Sequence, residues 1–159
     1  MHATEVLRDM VEAVPERLRA LPGETAARRG PDAWSPREEL GHLLDSAVVN
    51  HVRLVRVQSE DVPQLPGYDG PYWVRLHNYH NRPWSQLIDT WQLLNQHLLM
   101  AAEGTPAKAW QRSCAFEGGP PVTLDFLLTD YVRHALDHLR HIGIRVDDFA
   151  VDGPAARSA

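Results

Sequence analysis

The chain has 159 residues, enough for one domain with a substantial buried core. Its formal net charge of −5 and pI near 6.0 argue against a protein that grips phosphate backbones, whose footprint is a basic stripe. A single cysteine, Cys114, excludes an intrachain disulfide and a Cys-rich zinc site, and its loop-like surroundings mark it as structural.

The first predicted helix covers 4–21, with Val6, Leu7, Met10, Val11, Val14 and Leu18 on one face. Pro15 is expected to kink or interrupt it. Residues 22–34 are rich in Gly, Ala, Arg and Pro and show no periodicity. The second helix starts cleanly: Ser35 suits the N-cap, Pro36 the first helical position and Glu38 the third. Leu40, Leu43, Leu44, Ala47, Leu54 and Val55 carry helical spacing to about residue 59. Over 60–82 the prolines and glycines rule out one continuous helix, yet the segment holds Tyr68, Tyr72, Trp73, His77 and Tyr79. A connection of that length in a compact domain is more often functional than idle. A third helix covers 84–102, ended by Gly104 and Pro106, and a polar stretch with a Gly-Gly-Pro-Pro turn follows. The last helix opens at Thr123 and is expected to reach about Arg145.

Four amphipathic helices without a convincing strand predict an all-α four-helix bundle, its long connections acting as crossovers. Residues 1–150 read as one domain and 151–159 as a flexible tail. The start shows no basic region leading into an apolar core, and no apolar run nears the ~20 residues of a membrane span. The expectation is a cytoplasmic protein with neither nucleic acid nor membrane as partner.

The histidines carry the chemistry. His134 and His138 lie four apart and so share a helix face, about 5–6 Å apart at Cβ. His141 falls on the same face but about 10.5 Å along the axis from His134, too far for one ion to take both. A third imidazole from a facing helix would complete a three-histidine site with a coordination position left open. His42 and His51 both qualify. Periodicity puts His51 nearer the apolar stripe, whereas His42 shares a narrower stripe with Asp45, Val49 and Val52, so spacing does not choose between them. Two rival chemistries fail on the letters. A zincin needs Glu where Ala135 stands after His134. A di-iron site needs a second Glu-x-x-His beside Glu39-Leu40-Gly41-His42, and the last helix has none. Asp45, one turn after His42, Asp130, one turn before His134, and Asp137 are placed to hold imidazole N–H groups and fix their tautomers.

In order along the chain, Trp34-Ser35-Pro36, Gly41-His42-Leu43-Leu44-Asp45, Pro66-Gly67-Tyr68-Asp69 with Trp73, Arg82-Pro83-Trp84, and Asp130-Tyr131-Val132-Arg133-His134 with His138 form a pattern. With it the chain resembles the DinB superfamily, the group of bundles that includes YfiT-like metal-dependent hydrolases and mycothiol-dependent maleylpyruvate isomerase. The resemblance implies a four-helix bundle in which His42, His134 and His138 bind one divalent metal ion. It implies either a transferase using a low-molecular-weight thiol or a hydrolase, with a non-catalytic, stress-related binding protein as the rival class. Imidazole donors suit zinc and nickel. Tyr72, Trp73, Arg75 and Tyr79, with Tyr68, are expected to wall the pocket for a small-molecule substrate, and Arg75 or Arg82 to hold a substrate carboxylate. Apolar residues on two faces of the second helix leave room for a homodimer contact.

Overall fold

A computed structural model describes residues 1–31, 33–117 and 119–152. Four long helices form the bundle: α1 (Ala3–Arg19), α3 (Pro36–Ser59), α5 (Trp84–Glu103) and α6 (Leu124–Ile142). Two short helices, α2 (Gly23–Ala26) and α4 (Gly70–His77), sit in the connections. α1 and α3 each pack against both α5 and α6, so the core lies among all four. Among the described residues no helix is long and apolar enough to cross a membrane.

The helix ends follow the local chemistry. The Ser35 hydroxyl accepts from the Glu38 amide while the Glu38 carboxylate accepts from the Ser35 amide, a reciprocal cap at the start of α3. Gly143, at φ +90°, closes α6 three residues sooner than expected, in a left-handed conformation that glycine adopts freely. The chain beyond it buries Ile144, Val146 and Phe149, and Arg17 stacks on Phe149 while pairing with Asp148. Asp152 meets the terminal amine at 2.5 Å. The rest of the tail, 153–159, lies outside the described residues.

Two expectations are corrected. α1 runs unbroken through Pro15, which is itself buried. A proline inside a helix costs about 3 kcal/mol, whereas burying each of Val6, Leu7, Met10, Val11, Val14 and Leu18 returns roughly 1.5–3 kcal/mol; packing wins. Strands are also present. β1 (Gln64–Leu65) runs parallel to β2 (Ser113–Phe116), and β2 pairs antiparallel with β3 (Val122–Thr123). They clip the α3–α4 connection to the α5–α6 connection, with Leu65 opposite Phe116 and the fully buried Cys114 opposite Val122. Segments of two to four residues are too short to show an alternating pattern.

Buried polar groups tie the helices together. Trp84 Nε1 donates to the Leu18 carbonyl at 3.0 Å. Tyr131 donates to Asn95 Oδ1 at 2.5 Å, and Asn95 Nδ2 donates to the Trp91 carbonyl at 2.9 Å. Tyr79, in the 3₁₀ turn Tyr79–Asn81, lays its ring directly on α3 at Gly41, and its hydroxyl donates to Asp45 Oδ1 at 2.7 Å. A Cβ at position 41 would lie 2.1 Å from Tyr79 Cγ. The colliding atom is near the backbone of an anchored ring and cannot swing away. Replacing Gly41 by Ala gains about 1 kcal/mol of helix propensity, but overpacking costs about 1–3 kcal/mol. Gly41→Ala is expected to be destabilising overall, measured as a lower urea midpoint with an unchanged slope.

Candidate metal centre

α3 presents His42 and α6 presents His134 and His138 where these two helices pack. His42 Nε2 and His134 Nε2 face each other at 3.1 Å. The ring centroids of His42, His134 and His138 are 4.4–5.1 Å apart, and one nitrogen from each falls within 4.8 Å of the other two. The structure therefore brings together the three histidines that the resemblance singled out. His42 is 8% exposed. His51, the alternative on periodicity, is half-buried and stacks on His97 at 4.3 Å, away from this group.

Burial sets the protonation of the group. It pushes the His42 pKa down to about 3, with the charges His138 and His134 would carry adding to the effect. His134 falls to about 4, first through burial and then through His138. Both imidazoles are neutral at pH 7, the state in which a ring nitrogen can ligate a metal. His138 is oriented from outside: its Nδ1 donates to Glu39 Oε2 at 2.5 Å. That bond fixes the tautomer and leaves Nε2 as the nitrogen with a free lone pair. His141 Nδ1 lies 3.8 Å from the other Glu39 oxygen and is exposed, outside the three-histidine group. Gly70, at the start of α4, lets His42 sit where it does, since a Cβ there would come within 3.0 Å of His42 Cε1.

The group opens into a cavity of about 670 Å³. Trp34, Tyr68, Phe116, Leu127 and Tyr131 supply apolar wall, and Ser46, Asn50, Arg53, Asp130 and Asp137 supply polar groups. Trp34 packs on both His42 and His138, and Tyr68 stacks on His42 at 6.2 Å.

Several expected site residues stand elsewhere. Of the aromatic residues in the 60–82 connection only Tyr68 walls this cavity, beside Gly70 and Pro71. α4 is an amphipathic helix that turns Val74 inward, leaving Tyr72 and Arg75 exposed. Trp73, Tyr79 and Arg82 line a separate cavity of about 430 Å³. Asp45 does not hold His42: it points to that second cavity, accepting from Tyr79 and lying 3.1 Å from His77 Nδ1. Asp137 accepts from Arg140 at 2.6 Å on the surface, although its charge still reaches His134. Asp130 lines the cavity and acts on the Arg53 guanidinium through its charge. Among the described residues, the carboxylate within hydrogen-bond distance of an imidazole of the three-histidine group is Glu39. Its position three residues before His42 was the available signal, seen in the Glu39-x-x-His42 spacing.

The depressed imidazoles give a pH dependence with a definite sign. A histidine whose folded pKa lies below its unfolded value of about 6.5 binds fewer protons folded than unfolded. Its contribution is present above pH 6.5 and is lost as pH falls toward 4 and 3. The metal-free protein is expected to melt progressively lower from pH 6.5 to 4, and His42→Phe is expected to flatten that slope in a calorimetric series. Glu39→Ala is expected to weaken metal binding about 10–100-fold by removing the partner of His138, whereas His51→Ala should leave metal content unchanged by elemental analysis.

Comparison with known proteins agrees with this architecture. A Halalkalibacterium halodurans protein, named as an inferred metal-dependent hydrolase, is 23% identical over 137 residues, covering 83% of this chain and 80% of its own. YfiT from Bacillus subtilis, described as a probable metal-dependent hydrolase with an unusual four-helix bundle topology, superposes with a TM-score of 0.67 at 17% identity, covering 89% of both chains. A mycothiol-dependent maleylpyruvate isomerase superposes with a TM-score of 0.72 at 14% identity over 89% of this chain, which spans 60% of that enzyme. At these identities the two structures speak to the fold. Residues 6–142 match the DinB superfamily, and the chain belongs to that family.

Proposed function

We propose that His42, His134 and His138 hold one divalent metal ion and that the adjoining cavity is the reaction site of a metal-dependent enzyme acting on a small molecule. The observation that carries this reading is the convergence of three imidazole nitrogens, two from rings held neutral, at a cavity large enough for a substrate. The donor set fits: imidazoles suit zinc and nickel, and three ligands leave a position for exchange. An ion held by three neutral imidazoles would keep its full charge and supply Lewis acidity, lowering the pKa of a water or thiol beside it.

The chain's own residues do the rest. Glu39 holds His138 in one tautomer. Trp34 and Tyr68 cover the imidazole faces and narrow the access of bulk water. Ala135, beside His134, cannot accept a proton, so the nucleophile is activated without the glutamate that a zincin would use. Two nucleophiles suit the site. A low-molecular-weight thiol is supported by the structural likeness to a mycothiol-dependent enzyme. Water is supported by the hydrolase names of the other relatives.

Elemental analysis of gently purified protein is expected to give about one divalent ion per chain, and His134→Ala/His138→Ala to lose most of it. Full retention in the double variant would refute the reading. Chelation is expected to lower the melting temperature while preserving helical circular dichroism, because the core spans all four helices without the ion. Titrating cobalt-substituted protein with mycothiol, bacillithiol and glutathione separates the two nucleophiles. A sulfur-to-cobalt charge-transfer band supports the thiol, turnover of an ester or amide without it supports water, and the absence of both supports a non-catalytic binding protein.

A further inference from the structure

α3 continues along the cavity wall beyond the three-histidine group. On a wheel of 100° per residue, Ser46, Asn50 and Arg53 fall within about 80° of His42, and all four line the cavity. His42 and Arg53 are eleven residues apart, about 16 Å along the helix axis at 1.5 Å per residue. Along α3 the cavity wall therefore runs from the turn that carries His42 to the turn that carries Arg53.

The guanidinium is only partly used by the protein. Arg53 Nη2 donates to the Pro66 carbonyl at 2.8 Å, and the group stacks 4.9 Å above the Phe116 ring. Its Nε is buried without a hydrogen-bond partner among the described residues. Burial is also the leading influence on its pKa and acts to lower it. A half-buried cation on a cavity wall favours an anion in that cavity, and a guanidinium presents a planar fork that matches a carboxylate. Asp130 already places negative charge nearby, which favours a ligand group of single charge over a dianionic phosphate. Asn50, one turn before Arg53, adds an amide that can take part.

We propose that Arg53 receives the carboxylate of an extended ligand whose other end reaches the three histidines, making the substrate class a long, singly charged carboxylate. This rests on the metal reading above for the role of the histidine end, but not for the carboxylate end. The probes are ω-mercaptoalkanoates of increasing length, each compared with its ω-mercaptoalkanol, titrated into cobalt-substituted protein and read by the charge-transfer band. The carboxylate should improve affinity about tenfold or more, with its best length at about six to ten carbons, the about 16 Å rise less the reach of the two side chains. In Arg53→Met, checked for unchanged helical dichroism, the preference should fall to near unity, and Arg53→Lys should restore part of it. A metal-free arm compares octanoate with octanol by calorimetry. The wild type should prefer octanoate and Arg53→Met should not. An equal carboxylate preference in wild type and Arg53→Met, or no preference in the wild type in either arm, overturns the proposal. Protein that binds no metal yet prefers octanoate through Arg53 refutes the metal reading alone.

Discussion

His42 and His134 hold their Nε2 atoms 3.1 Å apart in a setting that disfavours charge on either ring, and the rest of this structure is organised around that constraint. Burial depresses His42 and His134 far below the ordinary histidine range. It is achieved by packing α3 against α6, with Trp34 and Tyr68 over the ring faces. Each contribution that keeps protons off the rings also keeps their lone pairs available. The energy that α1 and α5 gain by packing on the same two helices therefore also maintains the geometry of the site.

α3 does most of this organising because its faces serve different neighbours. Leu40, Leu43, Leu44, Ala47 and Leu54 enter the core. His42, Ser46, Asn50 and Arg53 line one cavity, and Leu44, Asp45 and Val48 border another. Val52 and Val55 remain exposed. A helix with so many obligations has little freedom to rotate. That explains why Gly41 must stay small for Tyr79 and why the reciprocal cap at Ser35 fixes where the helix begins.

The long helices and their caps could be read from the sequence because their signals are local: a Ser-Pro-x-Glu start, an apolar repeat, a terminal glycine. The pair His134 and His138 was equally readable, since four-residue spacing needs no tertiary information. His42 was not. Its position off the main apolar stripe of α3 made His51 look more buried, and only the docking of α6, Trp34 and Tyr68 onto that face reverses the order. Glu39 was hidden for the same reason, because its partner lies ninety-nine residues away on another helix. The connection over 60–82 misled differently. Its aromatic residues suggested one wall, but α4 divides them between two cavities and solvent, a division set by a helix too short to announce itself.

The small three-stranded sheet has a consequence for how this scaffold can diversify. β1 and β2 carry Leu65 and Phe116, and Phe116 with neighbouring Pro66 cradles Arg53. The imidazoles, by contrast, stand on helices whose register is locked by the core. The imidazoles and the wall behind Arg53 are thus held by different parts of the chain, although Arg53 itself shares α3 with His42. Lengthening or re-sequencing the α5–α6 connection would recut the wall at Phe116, whereas the α3–α4 connection is tied to the imidazoles through Tyr68, which stacks on His42. A bundle built this way can change the shape of its cavity over evolutionary time while the three histidines stay in place.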